Sequence, residues 1–299
     1  MKINTKHLLT GDELSDTDIH SLLDLAVELK KNRLAYKTTL NHKFLALLFE
    51  KPSLRTRFSF TIAMRELGGD VIESLGSTRK TEEPEDQIRV LQGYCHALMV
   101  RTFEDELLER MTSVSDIPII NGLSNLYHPC QTLADLMTLK EKFTALMGLS
   151  LCYLGDGNNV LHSLLLMAVK LGINIHYACP SDYGPDLQIL EQCKKNATHS
   201  QIIAFDDPIA AVQDCHAIYT DTWTSMGFEP KDENVFKPLQ VNEELMSHAH
   251  KDAIFMHCMP MNRGKEVSQS LPDQPCSAIF QQSENRLHVQ KSLLLNLLT

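Results

Sequence analysis

Ser53, Arg55, Thr56 and Arg57 put two hydroxyls and two guanidinium groups within five consecutive residues. An apolar run over 44–49 leads into them, Pro52 interrupts it, and Ser53 then stands where a helix N-cap belongs. Phe58, Ile62, Met64 and Leu67 recur at roughly helical spacing as far as Gly68-Gly69. The first turn of such a helix exposes backbone N–H groups and the positive end of the helix dipole. These residues therefore suit a multiply charged anion, most simply a phosphate. The plain alternative is a capped helix with two surface arginines.

Other polar residues fall where strands should end, and open parallel sheets bind ligands beyond the carboxyl ends of their strands. Arg101 closes a strand expected over 97–102, and His128 and Gln131 open the helix that follows a strand over 117–121. In the second half of the chain, Asn158 and Asn159 follow a strand over 149–154. Residues 221–227 follow a strand over 217–221, and residues 257–260 follow one over 253–257. The first group is cationic or donates hydrogen bonds; the second offers amide, carboxylate, hydroxyl and thiol. That division points to an anionic substrate on one domain and an amine-bearing substrate on the other, meeting in a cleft. Taken singly, each residue has an ordinary reading: Arg101 as a surface charge, His128 as a core or capping group, Asp221 as a turn cap, Cys258 as a small core residue. Gly155-Asp156-Gly157 is half of a dinucleotide fingerprint, but Val160 occupies its third glycine position. A nicotinamide-dependent oxidoreductase is the competing class it leaves open. His128 with Cys130, and His257 with Cys258, lack the paired spacing of zinc ligands, so no metal is expected.

The elements that must position these groups alternate. A helix opens at Ser15 with a capping-box pattern, then come a strand over 43–50, the capped helix, a strand over 70–75, a polar loop over 76–84 and a helix over 85–94. After 149–154 the alternation resumes with a helix over 160–171, a strand over 173–179, a helix over 187–196 and strands from 202, 217 and 253. An amphipathic segment over 284–298 ends the chain. The pattern predicts an α/β protein with two doubly wound parallel-sheet domains bridged by helices. The expected domains are residues 1–133, completed by the C-terminal helix 283–299, and residues 134–282. A chain of 299 residues suffices for two domains, and 43% hydrophobic with 22% charged residues is globular. A net charge of −10 argues against a nucleic-acid partner, so the arginine cluster reads as local and aimed at a small anion. Eight scattered cysteines without a CxxC read as free thiols in a reducing cytoplasm. No signal-peptide or membrane-spanning segment is expected.

Six motifs in order carry a resemblance: Phe49-Glu50-Lys51-Pro52-Ser53-Leu54-Arg55-Thr56-Arg57, Tyr127-His128-Pro129-Cys130-Gln131, Gly155-Asp156-Gly157-Asn158-Asn159, Asp221-Thr222-Trp223-Thr224-Ser225-Met226-Gly227, His257-Cys258-Met259-Pro260 and Glu284-Asn285-Arg286. On these the chain resembles the aspartate/ornithine carbamoyltransferase superfamily, on its ornithine branch. The resemblance implies transfer of a carbamoyl group from carbamoyl phosphate to L-ornithine, giving citrulline and phosphate, with no cofactor. It also implies roles. Ser53, Arg55 and the backbone N–H groups of Leu54 to Thr56 hold phosphate with Arg101; His128, Thr56 and Arg101 polarise the carbonyl; Gln131 binds the carbamoyl amide; Arg286 completes the anion site. Asn159, Ser225 and Met226 hold the amino-acid head group with Asp221, while Asp221, Cys258 and the Met259 carbonyl orient the δ-amine. A homotrimer with sites at subunit interfaces is implied too. Arginine biosynthesis is the expected setting, which residues alone do not separate from arginine breakdown.

The chain departs from the family pattern at Leu54, where Thr is usual, at Met259, where Leu is usual, and in the shortened loop 77–84. That loop in relatives reaches a neighbouring subunit's site, and Leu54 keeps a carbamoyltransferase for an acylated ornithine as the alternative. A non-catalytic homologue is a third reading.

Overall fold

The computed structural model describes residues 3–75, 82–224 and 229–299. They form two compact units, Met1–Met137 with Asn285–Thr299, and Thr138–Glu284.

The first unit holds α1 (Asp16–Lys31), β1 (Phe44–Phe49), α2 (Leu54–Glu66), β2 (Asp70–Leu75), α3 (Pro84–Leu91), β3 (Ala97–Arg101), α4 (Asp105–Val114) and β4 (Ile119–Leu123); α5 (Pro129–Phe143) runs on past its end. Its four strands are all parallel, in the order β2-β1-β3-β4. β1 has no polar residue and β3 only Arg101 at its end, as strands covered on both faces require. Phe49 and Arg101 are register partners at the ends of β1 and β3. That register sets Arg101 beside the start of α2.

The second unit holds β5 (Ser150–Leu154), α6 (Asn159–Ala168), β6 (Asn174–Ala178), α7 (Leu187–Asn196), β7 (Ile202–Ala204), α8 (Pro208–Val212), β8 (Ala217–Thr220), α9 (Glu243–Met246) and β9 (Ile254–His257), before α10 (Ile279–Leu298) leads back into the first unit. Its five strands are parallel in the order β7-β6-β5-β8-β9. Cys152, Leu154, Ile218, Phe255 and Val241 lie in its core. The last part of α10 is anchored in the first unit, where Ser292 Oγ donates to the Leu22 carbonyl at 2.8 Å and Lys291 Nζ to Glu66 at 2.8 Å.

Parallel α/β architecture in both units is the fold class expected. Details differ. β4 begins at Ile119 rather than 117, because Pro118 has no N–H for the ladder. α10 begins at Ile279 rather than 284. α8 and α9, of five and four residues, are too short to show a helical period, and only their caps, Asp207 and Asn242, mark them. Among the described residues no helix is long and apolar enough to cross a membrane.

The turn from β5 to α6 depends on Gly157. A Cβ there would lie 2.2 Å from the Gly184 carbonyl carbon and 2.3 Å from Pro185 N. Both are backbone, so the clash cannot be relieved by a rotamer. Gly157→Ala is expected to cost about 1–3 kcal/mol as overpacking does, read as a lowered urea midpoint with an unchanged slope; an unchanged midpoint contradicts it.

Candidate active site

In the first unit the site is built at the ends of β1 and β3. Ser53 caps α2, its Oγ accepting from Thr56 N at 3.3 Å. Arg101 Nη1 reaches the same hydroxyl at 3.4 Å. Arg286, on α10, donates from Nη2 to Thr56 Oγ1 at 2.7 Å and from Nη1 to Gln131 Oε1 at 2.8 Å. Gln131 in turn donates from Nε2 to Asp135 at 2.8 Å. Two partners thus fix the Gln131 amide, with its oxygen toward the arginine. His128 is buried beside them, and burial, then the charges of Arg286, Arg101 and Arg55, push its pKa well below the ordinary histidine value. It is a neutral imidazole at neutral pH, able to donate one N–H to a developing oxyanion.

Supporting groups hold this set. Glu50 accepts from Thr102 Oγ1 at 2.5 Å and from Phe103 N at 3.2 Å, which clamps the turn carrying Arg101. Lys51 Nζ lies 3.8 Å above the Phe103 ring, and burial first, then Arg101, lowers its pKa to about 8. Arg57 turns elsewhere, pairing with Glu73 on β2 and resting over Phe49. Leu54, at the first position of α2, exposes 67% of its surface. A leucine side chain brings no hydrogen bond there, so its contribution to an anion site is confined to the backbone.

The second unit assembles its residues at the ends of β5, β8 and β9. Asp221 Oδ1 accepts from the Cys258 thiol at 2.9 Å, and its Oδ2 from Asn158 Nδ2 at 2.8 Å. The thiol therefore carries its proton toward the carboxylate. His257 Nδ1 accepts the Met259 N–H at 2.9 Å, which assigns the ring proton to Nε2, 3.2 Å from Glu266 Oε1. That buried pair fixes the turn bearing Cys258 and Met259, where Met259 has φ 61°. Asn159, the first residue of α6, is buried at the same end of the sheet. Asp221, His257 and Cys258 offer ligand atoms within 4.8 Å of one another. Both imidazole nitrogens are spent on Met259 and Glu266, however, so the trio lacks a histidine lone pair for a metal.

The structure thus brings Ser53, Arg55, Thr56, Arg101, His128, Gln131 and Arg286 together in one unit and Asp221 with Cys258 in the other. Ser225, Met226 and most of the loop 77–84 lie outside the described residues. Sequence reasoning missed Glu50, Asp135, Asn158 and Glu266 as supports. Asn158 carried a signal as the neighbour of Asn159 at a helix start, and Glu50 as a member of the first motif; Asp135 and Glu266 carried none.

Comparison with known proteins follows this division. The family model for Aspartate/ornithine carbamoyltransferase, carbamoyl-P binding domain, matches residues 6–141. The one for Aspartate/ornithine carbamoyltransferase, Asp/Orn binding domain, matches residues 147–297. An ornithine carbamoyltransferase of Bacillus subtilis is 46% identical over 297 residues, covering 97% of this chain and 92% of that protein. The structure of ornithine carbamoyltransferase from Pyrococcus furiosus superposes with a TM-score of 0.95 at 38% identity, over 100% of this chain and 98% of that one. An N-acetyl-L-ornithine transcarbamylase structure superposes with a TM-score of 0.89 at 26% identity, over 98% of this chain and 100% of that one.

Proposed function

The chain belongs to the aspartate/ornithine carbamoyltransferase family, and from that premise we propose that it transfers the carbamoyl group of carbamoyl phosphate to the δ-amine of L-ornithine, releasing L-citrulline and phosphate. One observation carries the reading most directly: a neutral, buried His128 surrounded by the charges of Arg55, Arg101 and Arg286 beside a serine-capped helix. Three guanidinium groups around one buried imidazole beside a helix N-terminus suit an anion, and the family model that matches this unit is that of a carbamoyl-P binding domain. Ser53, Arg55, Arg101 and the N–H groups of Leu54 to Thr56 hold the phosphate. His128, Arg101 and Thr56 donate to the carbonyl oxygen as it becomes an oxyanion. The Gln131 oxygen, already turned to accept by Asp135 at its nitrogen, takes an N–H of the carbamoyl amide. Arg286 adds charge and holds Thr56 and Gln131 in place.

On the amino-acid side, Asn159, Ser225 and Met226 bind the head group with Asp221, while Asp221, Cys258 and the Met259 carbonyl aim the δ-amine. That amine attacks only when neutral, so the site must select its deprotonated form. A bond forms from nitrogen to the carbamoyl carbon, the C–O bond breaks with its electrons leaving on phosphate, and the proton that the nitrogen loses is taken up by the departing phosphate. The reaction as written needs neither metal nor cofactor.

The test is phosphate release from carbamoyl phosphate with ornithine, aspartate or an acylated ornithine as acceptor. Release with ornithine alone is expected. Preference for the acylated acceptor replaces the substrate while keeping the family, and no release with any acceptor removes the enzymatic reading.

We also propose a homotrimer. Leu54, Phe58 and Ile62 follow one another down one face of α2 with exposures of 67%, 60% and 37%, next to exposed Ile72 on edge strand β2. A second copy of the chain is the occupant proposed for this exposed apolar face, in line with the trimer that the resemblance implies. Sedimentation should give three times the 33.8 kDa chain mass, and Phe58→Glu combined with Ile62→Glu should reduce it to a single chain. An unchanged mass for the double variant refutes that face as the interface. Eight free thiols support a reducing cytoplasm as the compartment, and formation of citrulline is compatible with arginine biosynthesis as the setting.

A further inference from the structure

We propose that Asn158 is a positioning residue for Asp221: its carboxamide, locked in one orientation by the start of α6 and by Tyr153, sets the plane of the carboxylate that receives the substrate's amine. The inference rests on the amino-acid side of the reaction proposed above.

The lock follows from counting donors. Asn158 Oδ1 accepts from Val160 N at 3.0 Å, Leu161 N at 3.4 Å and Tyr153 OH at 3.1 Å. All three are donors, because Tyr153 keeps its phenolic proton: burial, and then the charges of Asp221 and Asp156, raise its pKa well above the ordinary value. Flipping the amide would turn its NH2 against these donors and its oxygen against Asp221 Oδ2, so both ends would be mispaired. The amide is thus held with Nδ2 toward Asp221, at 2.8 Å. Cys258, from the end of β9, donates to the other carboxylate oxygen at 2.9 Å. Two donors from different strand ends, one on each oxygen, fix the plane of Asp221, and each oxygen keeps a second lone pair for an amine. The Tyr153 ring is itself fully buried and stacked on Tyr219 with centroids 5.7 Å apart, so the chain of contacts ends in the core of the sheet. The paired asparagines of the turn then divide the work: Asn159 faces substrate, and Asn158 serves the carboxylate.

The ordinary explanation is that Asn158 only caps α6. Capping uses the amide oxygen and positioning uses the nitrogen, so substitution separates the two. Asn158→Asp keeps a capping oxygen but replaces the donor to Asp221 by a like charge. In the full-length chain it should keep its melting temperature within a few degrees of wild type. Its KM for L-ornithine should rise by about tenfold or more, the consequence of losing a hydrogen bond to a charged group, while the KM for carbamoyl phosphate stays within about twofold. Tyr153→Phe, which releases one of the three locks, should raise the ornithine KM in the same direction by less. Should Asn158→Asp fail to fold, Asn158→Ser keeps a capping hydroxyl, adds no charge and carries the same test. Wild-type turnover with an unchanged ornithine KM in the variant overturns the positioning role alone, as does an equal rise in both KM values with a lowered melting temperature. Wild-type protein that releases no phosphate with ornithine overturns the parent reading and this role with it.

Discussion

Asp221→Asn is expected to lower kcat/KM for L-ornithine by about 10³-fold, with the KM for carbamoyl phosphate nearly unchanged. The carboxylate accepts the Cys258 thiol on one oxygen and the Asn158 amide on the other. An asparagine of the same shape must present its own NH2 to one of those two donors, whichever way it turns. The variant therefore loses the charge that faces the ammonium of the amino-acid head group and also introduces a donor–donor contact inside a buried site. Removing one partner of a buried, hydrogen-bonded charge pair costs about 3–5 kcal/mol, which at 1.36 kcal/mol per decade spans roughly 10² to 10⁴ in rate. A loss near the middle of that span is expected, because the carboxylate must also hold the amine after its proton has left. Steady-state kinetics with each substrate varied in turn checks it. A loss shared equally between the two substrates, or below tenfold, would mean that Asp221 shapes the fold of this strand end and does not receive the amine.

The sequence made the local devices legible and the long-range ones much less so. Ser53 as a cap, the Ser15–Asp18 box and the alternation of strands and helices all depend on residues a few positions apart, where one mechanism dominates. Even there, placing Arg55 and Arg57 in one anion-binding turn overlooked geometry. Residues two apart on a helix point about 200° away from each other, and Arg57 accordingly pairs with Glu73 on the neighbouring strand while Arg55 lies close enough to bear on His128. Arg286 stands 155 residues from Gln131, a contact that no periodicity predicts; only the resemblance at Glu284-Asn285-Arg286 pointed to it. Asn158 was grouped with Asn159 among the strand-end amides but given no role of its own, although a residue opening a helix commits its oxygen to the helix and leaves its nitrogen for a partner. Asp135 and Glu266 were hidden for the reason buried acids usually are. In sequence they look like ordinary helix and loop carboxylates, and their function appears only when Gln131 and His257 are found against them.

His128→Leu is expected to reduce kcat by about 10²–10³-fold, the usual cost of removing one oxyanion donor, with little change in the KM for carbamoyl phosphate. The split follows from timing: a donor to the carbonyl oxygen gains most when that oxygen becomes negative, so its loss appears in kcat. The same substitution has a second signature in stability against pH. His128 is buried among Arg55, Arg101 and Arg286, which together with burial depress its pKa well below 6.5. The unfolded chain takes up that proton near pH 6.5 and the folded chain does not, so this group's contribution is fully present above 6.5 and is lost as pH falls below it. Each unit of pH below that value removes up to about 1.4 kcal/mol through this one residue. Between pH 7 and 5 the wild-type melting temperature should therefore fall more steeply than that of His128→Leu, which has no titrating group at that position. The contrast between the two slopes isolates His128 from every other histidine in the chain, because those remain in both proteins. Parallel slopes would mean that the folded chain takes up a proton at His128 as readily as the unfolded chain does, and would refute the depressed value.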